Sequence, residues 1–186
     1  NTEFLEQIFF FFFLRNYLYF SAILLFGLLF KRVFSRLLNR LMFMLFKRIE
    51  PDTEPKVFIE MLLKPVEFLI TLVIIYLSVN QLDYPLNEVI FRRTNLINNV
   101  PNLYELKVVQ VVDKLFLLLF IISAFWILLR IIDFVAHVFK YKASLTLSKS
   151  DDQMVPFIKE LSKIVTVVFA FFVVLGSVFN LNVATI

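Results

Sequence analysis

Arg130 and Asp133 lie three residues apart in "WILLRIIDFVAHVFKYK", a spacing that on a helix allows an ion pair. Glu67, Lys159, Glu160 and Lys163 repeat the pattern, each close to the end of an uncharged apolar run. Ionisable side chains so placed have two uses. They couple an ion to transport, or they form a salt-bridge layer at the height of lipid headgroups. A lone charge at mid-membrane costs roughly 2.5–3.5 kcal/mol, so such residues pair or snorkel. No charge falls in the middle third of any run, which favours the layer.

Other chemistry has less to work with. His137 is the only histidine and there is no cysteine, so histidine-rich metal sites, thiolate sites and disulfides are excluded within these residues. No HExxH, glycine-rich phosphate loop or nucleophile elbow occurs. The expectation is a chain with no catalytic residue, cofactor or metal, and no nucleic-acid partner. His137, in "DFVAHVFK", reads as a polar residue at the membrane interface.

The elements that position these charges are written in the hydropathy. The 186 residues are 60% hydrophobic, 25 of them phenylalanine, with a mean hydropathy of +0.84. So short a chain cannot hide that much apolar surface inside itself. Uncharged runs cover residues 16–30, 68–82 and 115–129, each 15 long, and residues 164–186, which is 23 long. Fifteen residues rise about 22 Å against a hydrocarbon core of about 30 Å. The first three spans must therefore recruit charged flanks: Arg15, then Lys64 and Glu67, then Arg130 and Asp133. Snorkelling, tilt or a thinned bilayer absorbs the mismatch.

The predicted fold is all-α and integral to the membrane, with four transmembrane helices arranged as two helical hairpins. Residues 1–106 form an outer, peripheral hairpin with spans at about 13–33 and 62–82. Residues 107–186 form an inner hairpin with spans at about 112–138 and 154–179. Basic residues crowd two connections, with Lys31, Arg32, Arg36, Arg40, Lys47, Arg48, Lys56 and Lys64 in the first and Lys140, Lys142, Lys149, Lys159 and Lys163 in the second. Positive-inside counting puts both in the cytoplasm and the N-terminus outside, in a multi-pass protein of the cell's inner (plasma) membrane. Ile186 then falls on the outer side.

Residues 31–48, "KRVFSRLLNRLMFMLFKR", repay closer inspection. Arg32, Arg36 and Arg40 recur every four residues, while Phe34, Leu37, Leu38, Leu41, Met44 and Leu45 take the other face. Two descriptions fit: a basic amphipathic helix lying on the anionic inner leaflet, or a helical continuation of the first span. Either makes Arg32, Arg36, Arg40, Lys47 and Arg48 candidate contacts for anionic lipid headgroups. "SDDQ" at Ser150, Asp151, Asp152 and Gln153 fits a helix capping box, with Pro156 soon after as a bend or restart. Gly27 and Gly176 are the only glycines. Helices so poor in small residues suit a lipid-facing array better than a tight bundle or a pore lining.

The C-terminal stretch "KSDDQMVPFIKELSKIVTVVFAFFVVLGSVFNLNVATI" resembles one family. It is similar to the span before the pore helix in bacterial small-conductance mechanosensitive (MscS-like) channels, here a larger member with extra N-terminal helices. The matching features are the acidic pair, the "VPFI" start, a valine-rich helix and then "LGSVFNLNV" and "ATI". The resemblance implies a homo-heptameric ion channel opened by membrane tension under hypo-osmotic stress, with the last two spans as its tension-sensing pair. It also implies a glycine- and alanine-rich pore helix and a cytoplasmic domain after Ile186. Asp151 and Asp152 would then cap their helix or touch that domain. The alternatives from other classes are the membrane anchor of a signalling receptor and half of a secondary transporter.

Overall fold

The computed structural model describes residues 2–49, 56–97, 100–145 and 151–180. Four helices, α1 (Thr2–Ile49), α2 (Lys56–Val79), α3 (Val108–Ser144) and α4 (Asp151–Ser177), hold most of the chain. Between α2 and α3 lie two strands, β1 (Val89–Ile97) and β2 (Val100–Lys107). Among the described residues, three stretches are long and apolar enough to cross a membrane: Phe10–Arg48, Ile59–Val79 and Val108–Ser144.

α1 is a single helix of 48 residues, more than twice the ~20 needed to cross a bilayer core. Residues 31–48 thus continue the first span instead of forming a separate surface helix. Nothing in the sequence would stop it, because Gly27 is its only glycine and it contains no proline. α2 and α4 each contain a proline, Pro65 and Pro156, without ending there. The helix does not restart at Pro156, and α4 runs unbroken through it. A proline near a helix start forfeits little of the hydrogen-bond ladder.

The hairpin departs from the all-helical expectation. β1 and β2 pair antiparallel, with Arg92 opposite Glu105 and a register irregularity between Val89 and Phe91. "VIFRRTNLI" is rich in β-branched and aromatic residues, which fit a pleated surface. Pro101 lies opposite Leu96, and a strand of a two-stranded sheet has a free edge that tolerates proline.

The chain divides into two compact units. Unit 1 comprises Asn1–Leu29 and Thr71–Leu117; unit 2 comprises Phe30–Ile70 and Leu118–Ile186. The division falls inside α1, α2 and α3. In unit 1, Gly27 permits close approach to α2, since a β-carbon there would sit 2.5 Å from Ile74 Cγ2. Tyr76 donates a hydrogen bond to Asp113 (3.0 Å), and its ring lies 5.1 Å from that of Phe116. Leu86 is buried in the turn before β1, where its carbonyl accepts from the Val109 N–H.

In unit 2, Phe46, Ile59 and Leu63 form a buried cluster packed by Leu38, Met42 and Phe134. Leu38, Met42 and Phe46 recur every four residues, so one narrow stripe of α1 faces the core. Leu37, Leu41, Met44 and Leu45, assigned by the sequence to the apolar face, are exposed. Phe68 and Trp126 meet edge to face at 5.9 Å, as do Phe125 and Phe169 at 6.0 Å.

Candidate functional site

Asp133 projects from α3 into the densest group of charges in unit 2. Arg130, one turn earlier, places a guanidinium nitrogen 3.4 Å from Asp133 Oδ2. Lys159 and Lys163 lie four residues apart on α4, hence on one face. Their Nζ atoms reach Asp133 Oδ1 at 3.2 Å and 2.6 Å. Three cations from two helices thus converge on one carboxylate.

Burial makes the arrangement matter. The Asp133 side chain is 13% exposed, and those of its three partners 28–33%. A carboxylate so enclosed loses much of its hydration, and paired donors must replace it. Removing the carboxylate would leave three like charges facing one another. The cluster therefore holds α3 and α4 together as a unit.

Beside the cluster is a cavity of about 530 Å³, lined among the described residues by Arg130, Lys140, Lys159 and Lys163 and by two carboxylates, Asp133 and Glu160. His137 also lines it, with its ring 5.8 Å from that of Phe46. An apolar groove of about 440 Å³, walled by Ile131, Ile132, Val135, Phe139 and Ile158, shares Ala136, Val155 and Lys159 with the cavity. A surplus of positive charge beside an apolar channel matches an anionic amphiphile in both charge and shape.

The sequence-predicted ionic residues fall into two places. Arg130, Asp133, Lys159 and Lys163 come together, and Glu160, itself exposed, lines the same cavity. Glu67 does not line it; its carboxylate accepts a hydrogen bond from the Ser35 hydroxyl, which joins α2 to α1. Ser150 lies outside the described residues, as do the side chains of Asp151, Asp152 and Gln153.

The predicted headgroup contacts Arg32, Arg36, Arg40, Lys47 and Arg48 are all exposed along α1. Lys47 extends over the Phe43 ring, 5.5 Å from its centroid. Sequence reasoning had not singled out Ser35 or joined Lys140 and His137 to the ionic group. Spacing held the signal for the last two, since His137 is one turn beyond Asp133 and Lys140 three residues further on.

Compared with protein-family models, curated proteins and solved structures, the chain matches none.

Proposed function

We propose that the chain is the tension-sensing membrane region of a mechanosensitive ion channel of the small-conductance, MscS-like kind. One observation carries the proposal: α3 and α4 are tied by the Asp133 cluster while their apolar surfaces stay uncovered. Val165, Phe169 and Phe171 of α4 are each about 60% exposed, and Leu115 of α3 is 55% exposed. A helix pair locked by charge and coated with bulky apolar groups moves as one body when the surrounding lipid moves. The resemblance of α4 and its sequel to the span before the pore helix supports the same reading. α4 ends at Ser177, and Asn180 follows with a left-handed φ of 54°, a conformation suited to a change of chain direction.

In this reading the four helices are four spans in the inner membrane, with the N-terminus outside and both basic connections in the cytoplasm. α3 and α4 form the sensing hairpin, and α1 and α2 the peripheral one. Tension then acts as a ligand does, favouring whichever state occupies more membrane area, and it shifts the equilibrium only by that difference. Anionic inner-leaflet lipids meet Arg32, Arg36, Arg40, Lys47 and Arg48, and the cationic cavity beside Asp133 takes a further headgroup. The assembly is a homo-heptamer whose conducting pore lies outside these residues. No catalytic step or cofactor enters the mechanism.

Patch-clamp recording of the full-length protein in spheroplasts tests the proposal. Suction should evoke a current that rises steeply with applied pressure, and silence up to lytic suction would refute it. Reversing charge with Arg36→Glu and Arg40→Glu should alter the tension threshold or its dependence on anionic lipid. An unchanged threshold and lipid response would remove α1 from the lipid-contact role.

A further inference from the structure

Unit 1 holds a cavity of a different character. It measures about 520 Å³, and its lining includes Phe13, Tyr17 and Tyr84 together with the carboxylates of Asp83 and Glu88. The Phe13 ring lies 4.8 Å from Tyr17 and 6.4 Å from Tyr84, so three aromatic rings cluster on one wall. Asn16 donates a 2.7 Å hydrogen bond to Asp83 Oδ2, which joins α1 to the turn that carries Asp83 and Tyr84. Among the described residues, no lysine or arginine lines the cavity. Among the described residues, neither carboxylate is in a salt bridge.

We propose that this cavity binds a quaternary ammonium group of the choline type. The aromatic faces carry negative potential and attract a cation held within about 6 Å. Asp83 and Glu88 add net negative charge on the same walls. A divalent metal is a poorer fit, because calcium takes six to eight oxygen ligands and magnesium demands an octahedral shell. Small, strongly hydrated monocations gain little from aromatic walls. A quaternary ammonium has a diffuse charge and an apolar surface, so rings and carboxylates satisfy it together. The cavity is large enough for such a group and lies within the size range of small-molecule sites.

Arg15 is a competing cation, its guanidinium 4.6 Å from the Phe12 ring centroid. Phe12 also lines the cavity, so Phe13, Tyr17 and Tyr84 are the rings left for a ligand. Tyr84 is 55% exposed, which leaves the cavity reachable from outside the protein. The binding group is therefore either a soluble cation or the headgroup of a choline lipid. The proposal stands on unit 1 alone and does not require the channel reading.

The test is calorimetric titration of choline chloride into the full-length protein held in phosphatidylglycerol nanodiscs, which supply no competing ammonium. 3,3-Dimethylbutan-1-ol, the neutral isostere with carbon in place of nitrogen, is titrated in parallel. Saturable binding of choline, with none of the alcohol, is expected. Tyr84→Ala and Glu88→Gln should each weaken it about tenfold, whereas Tyr84→Phe should retain it because the ring face makes the contact. Tyr84 and Glu88 are both exposed, so these variants should fold.

Absent choline binding, equal binding of the alcohol, or an unchanged affinity in Tyr84→Ala would overturn the proposal. Repeating the titration in phosphatidylcholine nanodiscs identifies the source. Competition by the lipid assigns the site to a headgroup, and undiminished affinity assigns it to a soluble cation.

Discussion

The ionic cluster of unit 2 and the aromatic cavity of unit 1 handle charge in opposite ways. In the first, one carboxylate meets three cations and is largely enclosed, so its charge is spent on holding two helices together. In the second, two carboxylates and a group of rings face a cavity that no lysine or arginine among the described residues lines, and Asp83 takes only a neutral amide partner, Asn16. With the cavity read as proposed, the contrast separates residues that build the membrane region from residues placed to bind a ligand. A charge answered within the chain is structural; a charge left unanswered beside a cavity is an invitation to a ligand.

The largest expected effect lies on the structural side. Asp133→Asn should lower stability by about 3 kcal/mol, since breaking an enclosed ion pair strands the remaining charges. The midpoint of denaturant unfolding in detergent measures it. Adding Lys163→Met should recover part of the loss, because one stranded cation is gone. A single substitution with no effect would make the cluster as inconsequential as a surface pair.

Close packing comes next. Gly27→Ala should destabilise by about 1–2 kcal/mol, because overlap with Ile74 outweighs the roughly 1 kcal/mol that alanine gains in a helix interior. Combining it with Ile74→Ala removes both γ-carbons that the new β-carbon would strike. Thermal denaturation of the pair against each single variant reads the coupling, and simple additivity would contradict the contact.

The smallest effect belongs to the hairpin. Arg92 and Glu105 pair at 2.8 Å, yet the arginine side chain is 63% exposed. Exposed pairs contribute little, so Glu105→Gln should cost no more than about 0.5 kcal/mol in the same unfolding experiment. A loss rivalling that of Asp133→Asn would erase the distinction between enclosed and exposed charge.

The helical, membrane-crossing character was legible because hydropathy acts over long windows. Runs 16–30 and 115–129 fall within helices apolar enough to cross a bilayer, and run 68–82 extends three residues past the end of a third. The Arg130 and Asp133 pair was legible too, because three residues on a helix fix the geometry without any tertiary knowledge. What escaped were features set by partners distant in sequence. Nothing local marks Leu38, Met42 and Phe46 as the buried stripe, since apolar residues lie on almost every face of that segment. The hairpin hid behind Pro101, which reads as a loop former and yet is compatible with a free strand edge. The unit 1 cavity joins α1 to a turn 67 residues away through Asn16 and Asp83, a distance over which spacing gives no information.

The central claim is that these helices cross the membrane with the basic ends of α3 and α4 in the cytoplasm. The 186 residues contain no cysteine, so an introduced thiol reports its own position. Asn87→Cys and Lys142→Cys both replace exposed side chains. A membrane-impermeant maleimide added to intact spheroplasts should label the first and spare the second until the membrane is opened. Labelling of Lys142→Cys from outside, or equal labelling of both, would contradict the topology and the sensing role built on it.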